Sequence, residues 1–337
     1  MLPEPAPMRE LSGLAPGVLT DELLASTEPV VLRGLAASWP MVGKARASQR
    51  DAGAYLRRFY RGERVLAFLG APEIDGRYFY NADLSGFNYA AVQAPLDKVL
   101  EELEDHKDDV RPPSVYVGST MIDHYLPGFR AENDIDLGQR VPLASIWIGN
   151  RSRIAAHYDV PDNIAVVAAG RRRFTLFPPE QVSNLYVGPL DFTPAGQAIS
   201  LVDFAQPDLE RFPRFAQAMA SARAAELGPG DAIFIPSMWW HHIEALDPFN
   251  VLVNYWWRQS PPYMDSPVSA LMLALLTLRE LPPAQRDAWQ ELFRHYVFNS
   301  DGQEAAHIPP AARRMLAPLD SDGARALRVQ LLNRLKR

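Results

Sequence analysis

The chain has 337 residues, and its hydrophobic content of 47% and charged content of 22% are typical of a soluble globular protein. Lysine and arginine number 34 against 40 aspartates and glutamates, so the net charge of −6 gives no reason to expect general attraction to nucleic acid. Cysteine is absent, which excludes disulfides, iron–sulfur clusters and thiolate-bound zinc and fits a reducing compartment.

Neither a targeting segment nor a membrane span is indicated. The first seven residues lack the basic stretch and apolar core of a signal peptide. The longest apolar run, residues 270–276, is far too short to cross a bilayer and predicts a buried helix instead. We therefore expect a cytoplasmic protein that contacts no membrane.

The first 110 residues predict a mixture of strands and helices. A helix over residues 95–106 is the clearest of them, because its leucines and its valine recur at helical spacing and share one face. The other elements, in chain order, are a strand at 29–35, a helix at about 46–60 and a strand at 64–69. We expect these α/β elements to pack on a barrel formed by the segment that follows.

Residues 111–260 predict that barrel, because strand patterns dominate them. Strands are expected at 114–118, 144–149 and 250–257. Two further pairs of strands are each interrupted by a glycine turn, at Gly170 and at residues 228–231, and both pairs are predicted as β-hairpins. Residues 261–337 then change to helices, at Val268–Leu281, Pro283–Phe298 and Ala324–Leu335.

The run His157-Tyr158-Asp159 is the strongest chemical signal in the chain. In a strand, alternate side chains share a face, so His157 and Asp159 point the same way. The second hairpin leads to Trp239-Trp240-His241-His242, which offers a third ligand. Two imidazoles and one carboxylate form the facial triad of non-haem Fe(II) oxygenases. His241 and His242 point to opposite faces, and the spacing alone does not choose between them.

A family resemblance appears when the motifs are taken in chain order. They are the two histidine motifs, the Phe177-Pro178-Pro179 sequence that ends a strand, and the run from Val253 to Trp256. The chain resembles the JmjC-type, cupin-fold oxygenases that use Fe(II), 2-oxoglutarate and O2, and most of all their asparaginyl hydroxylase branch, over roughly residues 29–258. The resemblance implies a mainly β fold, a double-stranded β-helix or jelly-roll barrel, with N-terminal α/β elements (1–110), a barrel core (111–260) and a C-terminal helical segment (261–337).

The resemblance also assigns roles to individual residues. It makes His157, Asp159 and His241 the iron ligands and leaves His242 a packing or hydrogen-bonding role. Arg172 falls where the family commonly has a lysine that pairs with the distal carboxylate of 2-oxoglutarate. The alternative for Arg172 is a structural ion pair with a protein carboxylate, since a buried guanidinium needs an anion. The positions near the cosubstrate are Asn163, Asn254 and Tyr116.

One family feature is missing from this sequence. A threonine three residues before the first ligand is replaced by Ile154, and either Ser152 or Ser145 is a candidate to supply the lost hydroxyl.

The implied activity is hydroxylation of a protein or peptide side chain, with succinate and CO2 as co-products. Hydroxylation of a small metabolite and metal or ligand binding without catalysis are the alternatives, and a long open groove beside His157 would favour a peptide over a metabolite. No nucleic-acid partner is expected. The apolar C-terminal helices need a partner, for which a second copy of the chain is the simplest choice.

Overall fold

The computed structural model describes residues 2–14 and 19–336. Residues 1 and 15–18 of the predicted N-terminal segment, and residue 337 of the C-terminal one, lie outside the described residues. The strands, numbered in chain order, are β1 (Ala6–Pro7), β2 (Arg9–Leu11), β3 (Val30–Leu32), β4 (Arg64–Gly70), β5 (Arg77–Tyr78), β6 (Ala90–Pro95), β7 (Ser114–Met121), β8 (Leu143–Gly149), β9 (Ser152–His157), β10 (Asp162–Ala169), β11 (Arg172–Phe177), β12 (Arg223–Leu227), β13 (Ala232–Ile235), β14 (Trp240–Ala245) and β15 (Asn250–Trp257).

Helices precede and follow the region that is richest in strands. They are α1 (Asp21–Leu24), α2 (Pro40–Ala47), α3 (Gln49–Phe59), α4 (Leu96–Asp105), α5 (Ile122–Tyr125), α6 (Phe129–Glu132), α7 (Phe215–Ala220), α8 (Pro267–Thr277), α9 (Pro283–Phe293) and α10 (Ser321–Leu335). Short 3₁₀ turns lie at Pro72–Ile74, Pro179–Ser183, Pro310–Ala312 and Arg314–Leu316, and a π-helix extends α9 over Arg294–Phe298. The prediction of a mainly β core with flanking helices is confirmed.

The strands form two sheets. One has six strands in the order β1-β12-β11-β14-β9-β5, and the other has nine in the order β2-β3-β13-β10-β15-β8-β7-β4-β6. Strands from both sides of the predicted division at residue 110 are neighbours in the larger sheet, where β4 pairs with both β6 and β7.

The two predicted β-hairpins are wrong, although their strands and turns exist. β10 pairs with β13 and β15, while β11 pairs with β12 and β14, so the turn at Gly170 carries the chain from one sheet to the other. The turn between β12 and β13 does the same. Periodicity and turn residues mark where a strand ends, but they do not show whether the next strand pairs with it or crosses to a facing sheet.

Gly170 is required at its corner for two reasons. Its φ of 69° lies in the left-handed region, which residues with a side chain rarely adopt. A Cβ atom there would also lie 2.3 Å from Oδ1 of Asn250 and 2.5 Å from the carbonyl oxygen of Phe249.

The core fills both faces of the larger sheet. Every residue of β10 is buried because this strand lies centrally, with the second sheet on one face and helices on the other. Ala165 and Val167 of β10 belong to the cluster between the sheets, together with Phe174, Leu176 and other apolar side chains. Ile164 and Val166 point the opposite way, into the cluster that the N-terminal helices cover.

Helix α4 confirms the predicted amphipathic pattern, since the apolar residues assigned to its inner face, Leu96, Val99, Leu100 and Leu103, are all buried. The single helix predicted at 46–60 is two helices in the structure. α2 begins earlier, at Pro40, and α3 ends at Phe59, with a break between them at Ser48. Ser48 ends the first helix and caps the second by accepting a hydrogen bond from the backbone N–H of Asp51.

The chain divides into two compact units, Met1–Gln259 and Ser260–Arg337. In the second unit, the prediction that residues 270–276 form a buried helix is wrong in one respect. The helix exists as α8, but none of its residues is buried, and Leu276 is 73% exposed. An apolar run predicts burial only where a partner surface covers it. Across the described residues, every helix is too short or too polar to cross a membrane.

Candidate metal centre and cosubstrate pocket

The metal triad is assembled from two neighbouring strands of the six-stranded sheet. His157 is the last residue of β9, and it lies directly opposite His241 of β14 in the strand register. Their ring centroids are 4.3 Å apart. Asp159 follows just after β9, and one of its carboxylate oxygens lies 3.7 Å from Nε2 of His241. Ligand atoms of the three residues lie within 4.8 Å of one another, so one divalent ion can contact all three.

Backbone carbonyl groups orient both imidazoles. Nδ1 of His157 is 2.9 Å from the carbonyl oxygen of Ala155, and Nδ1 of His241 is 3.0 Å from that of Trp239. A carbonyl oxygen only accepts, so each Nδ1 carries the proton and each Nε2 keeps its lone pair for a metal. Burial, with His157 nearby, lowers the pKa of His241 to about 4, which keeps this imidazole neutral at pH 7.

The carboxylate of Asp159 is oriented by a tryptophan. The indole Nε1–H of Trp256 donates a hydrogen bond to Oδ2 of Asp159 at 3.0 Å. Nothing in the sequence indicates this contact, because Trp256 lies ninety-seven positions further along the chain. Partners of this kind fix the direction of a ligand before the metal binds.

His242 lies on the other side of the sheet, as strand alternation requires. Its ring packs against Phe204 with 4.4 Å between the ring centroids, and burial lowers its pKa to about 3. It does not line the cavity beside the triad. Of the two adjacent histidines that the spacing left open, the structure therefore brings His241 to the triad and places His242 in a packing role.

Arg172 is the first residue of β11, and it is 1% exposed. Its Nε and Nη2 atoms are buried without a hydrogen-bond partner, and within the described chain no carboxylate forms an ion pair with it. Burial lowers the pKa of the guanidinium, and nearby Tyr116 opposes that shift. A structural ion pair with a protein carboxylate is thus not found, and the unpartnered atoms fit a carboxylate supplied by a ligand.

The other predicted cosubstrate residues share the cavity with Arg172. Tyr116, Asn163 and Asn254 all line it, although they belong to three different strands of the nine-stranded sheet. The side-chain amide of Asn254 donates from Nδ2 to Oδ1 of Asn163 at 2.9 Å, and its own Oδ1 is buried and has no partner in the part of the chain that the structure describes. Burial raises the pKa of Tyr116 to about 12, so its hydroxyl stays protonated.

The cavity has a volume of about 300 Å³ and is lined mainly by aromatic and aliphatic side chains. Besides the residues named above, its wall consists of Leu66, Phe68, Tyr78, Tyr89, Gly118, Ser119, Trp147, Ile154, Ala155, Pro194, Ala195, Ile199, Ile243, Leu252 and Trp256. Sequence reasoning missed most of this wall. The lining comes from segments far apart in the chain, and ordinary strand residues carry no motif that marks them.

Ile154 lines the cavity where the family resemblance expects a hydroxyl, and neither Ser145 nor Ser152 does. Ser119 lies on the wall instead, and its hydroxyl donates to Oγ of Ser145 at 3.1 Å. Ser119 falls within the irregular stretch where β7 and β8 lose register between Val117 and Thr120. That irregularity turns a residue the sequence analysis did not consider toward the cavity.

A comparison with protein families identifies this arrangement. The family model described as a cupin-like domain matches residues 16–263. The chain belongs to the cupin-like domain family. This result confirms the predicted jelly-roll fold and, at the level of the family, the resemblance to JmjC-type oxygenases.

Several curated proteins are similar to this chain. Lysine-specific demethylase 8 of Xenopus tropicalis is 28% identical over 246 residues, which are 70% of this chain and 49% of that protein. HSPB1-associated protein 1 of Homo sapiens is 30% identical over 157 residues, 45% and 31% of the two chains. tRNA wybutosine-synthesizing protein 5 of Danio rerio is 35% identical over 146 residues, 39% and 42% of the two chains. The alignments thus span less than half the length of each of these relatives.

Proposed function

We propose that the protein is an Fe(II)- and 2-oxoglutarate-dependent oxygenase that hydroxylates a side chain of a protein or peptide, releasing succinate and CO2. The observation that carries this proposal is the shared cavity, in which a three-residue metal triad and a buried, unpartnered guanidinium lie together. Three protein ligands leave coordination positions of a metal open for the cosubstrate and O2. The guanidinium can then pair with the carboxylate of 2-oxoglutarate that lies farther from the metal.

The roles of the residues follow from their positions. His157, Asp159 and His241 would hold Fe(II), and Arg172 would bind the distal carboxylate of 2-oxoglutarate with the Tyr116 hydroxyl beside it. When bound, Fe(II) and 2-oxoglutarate supply the oxidising chemistry, in which O2 is consumed and the substrate gains a hydroxyl group. Asn163 and Asn254 fix one another by their hydrogen bond, which leaves Oδ1 of Asn254 free to accept from a bound group.

The volume of the cavity favours a small entering group. About 300 Å³ is at the lower end of the range for ligand sites, and here it must hold both the cosubstrate and the reacting part of the substrate. One side chain of a peptide meets this limit, and so does a small metabolite, which remains the second candidate. The names of the relatives include a lysine-specific demethylase and a tRNA-modifying protein, so they indicate no single substrate class.

The test is succinate formation from 2-oxoglutarate by protein loaded anaerobically with Fe(II) and then exposed to air, with and without pooled peptides or metabolites. We expect turnover that needs Fe(II), is lost in His157→Ala, and rises with the peptide pool. Arg172→Met should retain the metal but need much more 2-oxoglutarate. Absence of Fe(II)-dependent turnover, together with no stabilisation of the metal-loaded protein by 2-oxoglutarate, would contradict the proposal and leave a binding protein without catalysis.

A second copy of the chain is the partner we propose for the C-terminal unit. The exposed apolar side chains of that unit include Met272 and Leu276 of α8, together with others on α9 and α10. Exposed patches of this kind mark interaction surfaces. Sedimentation should show a dimer, and the double substitution Met272→Glu with Leu276→Glu should give a monomer. The cytoplasmic location and the absence of a nucleic-acid partner stay predictions.

A further inference from the structure

The wall of the cavity offers no charge to a substrate. Its ionisable residues are the metal triad, Arg172 and three tyrosines, and burial raises the pKa of Tyr89 and Tyr116 to about 12, so these hydroxyls are neutral. With a divalent metal and a dicarboxylate bound, the positive charges of the metal and Arg172 equal the negative charges of Asp159 and the two carboxylates. A charged substrate group would therefore enter a buried site without a counter-ion, which is costly.

The aromatic rings of the wall pack against one another. The ring of Tyr116 stacks on Trp147 at 5.6 Å and on Phe68 at 6.4 Å, measured between ring centroids. Tyr89 contacts Phe68 at 5.2 Å and Tyr78 at 5.4 Å. A cage for an ammonium group needs free ring faces that converge on one point. Here part of each ring is taken up by contact with another ring of the wall, which leaves less ring surface for a cation.

The exposed residues that line the cavity carry no charge either: they are Leu66 and Ser119. Leu66 of β4 lines the cavity and is 41% exposed, so it lies where the cavity meets solvent. A loop between Gly188 and Ile199, closed at its base by the hydrogen bond from the Gly188 N–H to the Ile199 carbonyl, adds Pro194 and Ala195 to the wall. Phe192 of this loop stacks on Phe87 with 4.8 Å between centroids. A substrate thus meets mainly apolar and otherwise uncharged surface between the mouth and the triad.

From these observations, and resting on the function proposed above, we propose that the substrate presents an uncharged, apolar group no larger than one amino-acid side chain. Such a group leaves the charge balance of the loaded site unchanged and needs no counter-ion, and its transfer from water into the cavity is favourable. The same chemistry can come from a peptide side chain or from a free amino-acid-like molecule, and the experiment separates these two sources.

The experiment compares peptides with identical flanks and one central residue, either norleucine or lysine. This pair differs mainly in the terminal ammonium group. Binding is measured by calorimetry on anaerobic protein loaded with Fe(II) and 2-oxoglutarate, and hydroxylation is then followed in air by succinate and by a mass increase of one oxygen atom. We expect the norleucine peptide to bind at least about tenfold more tightly. The same residues as end-blocked single amino acids test the metabolite source.

Two substitutions on one strand provide the matched control. Leu66→Glu places a carboxylate at the mouth and should shrink or reverse the preference for norleucine over lysine. Leu69→Glu changes a leucine of nearly equal exposure, 39%, that does not line the cavity, and should leave the preference unchanged. Equal effects of the two substitutions would show that the mouth of the cavity does not select the substrate.

The outcomes separate this inference from the function it rests on. His157-dependent succinate formation with equal or better binding of the lysine peptide would overturn the inference and leave the oxygenase standing. A norleucine preference in binding without any succinate in air would overturn the oxygenase and keep the inference as a description of the ligand. Failure of every peptide and every blocked amino acid to bind would also overturn the inference.

Discussion

The two sheets contribute different chemistry to the same cavity. The six-stranded sheet carries the two candidate metal-binding imidazoles and a charged group, with His157 at the end of β9, His241 on β14 and Arg172 on β11. The nine-stranded sheet carries neutral groups, among them Asn254 and Trp256 on β15. The smaller sheet therefore supplies two of the candidate metal ligands and the guanidinium for the cosubstrate, while the larger one supplies neutral groups beside the cosubstrate and much of the surface that a substrate would meet.

This division has a physical basis. Ligands to one ion must lie a few ångströms apart, and adjacent antiparallel strands place opposed side chains at that distance. The opposing wall has only to fill space and orient its partners, so aromatic rings and amides suffice there. Substitutions on the smaller sheet should accordingly abolish chemistry, whereas substitutions on the larger sheet should weaken affinity or change selectivity.

The largest effect is expected from removing a ligand. His241→Ala should lower turnover and metal affinity by more than about 100-fold, because even partners behind a ligand contribute 10- to 100-fold. The measurement is metal titration together with succinate formation. His242→Leu is the matched control on the same strand, since His242 faces away from the triad, and it should keep metal binding. A similar loss of metal affinity and turnover in both variants would mean that His241 supports the folded structure and does not bind the metal.

Removing the guanidinium should weaken 2-oxoglutarate binding but raise the stability of the ligand-free protein. Arg172→Met should weaken 2-oxoglutarate binding about 100-fold, as expected for the loss of charge-assisted hydrogen bonds of ~1.5 kcal/mol each. The ligand-free variant should be more stable than the wild type by roughly 1–4 kcal/mol, because an uncompensated buried charge is replaced by an apolar side chain. Urea unfolding with and without 2-oxoglutarate measures both effects. A less stable ligand-free variant would indicate that Arg172 has a structural partner.

A substitution on the larger sheet should act on the metal only through Asp159. Trp256→Phe removes the indole N–H that holds the carboxylate and should lower metal affinity by about 10- to 100-fold. Trp257→Phe is its neighbour and control, because Nε1 of Trp257 has no hydrogen-bond partner in the described structure. Equal metal affinity in the two variants would show that the hydrogen bond does not position Asp159.

The last effect concerns stability and pH. The pKa values of His241 and His242 fall from 6.5 to about 4 and about 3 on folding, so below pH 6.5 the unfolded state binds more protons. In the metal-free protein, the stability that these neutral imidazoles contribute is complete above pH 6.5. It is lost as the pH falls toward their folded-state pKa values of about 4 and about 3. The free energy of unfolding should drop by up to about 1.4 kcal/mol per pH unit for each imidazole.

Urea unfolding at pH 7.5 and pH 5.0 measures this loss. His242→Leu removes one of the two titrating groups and should reduce the slope with pH. An unchanged slope in that variant would show that His242 is not held neutral by burial.

Much of the site was within reach of the sequence, but its surroundings were not. Strand alternation placed His157 and Asp159 on one face, and the structure has both beside His241. The family resemblance was needed to prefer His241 over His242 and to assign Arg172 to a cosubstrate. The contact between Trp256 and Asp159 could not be predicted, because it depends on which strands are neighbours and not on any local pattern.

The errors have the same origin. Glycine turns were correctly placed, yet both were interpreted as hairpins when each carries the chain between sheets. Helix α8 was correctly placed by its apolar run, yet its burial was not, since burial depends on what covers a helix. Local sequence limits backbone conformation, whereas pairing and burial depend on residues far away in the chain.

The sequence by itself determined the strand and helix pattern, the two motifs that carry the candidate metal ligands, and the lack of cysteine that excludes thiolate chemistry. These are local properties, set by side-chain type and by the period of the backbone. Only the tertiary structure decided that Arg172 is buried without a carboxylate partner among the described residues, that Ser119 and not Ser145 or Ser152 reaches the cavity, and that the wall facing the triad is largely aromatic and uncharged. Each of these depends on strands far apart in the chain meeting across about 300 Å³ of shared space.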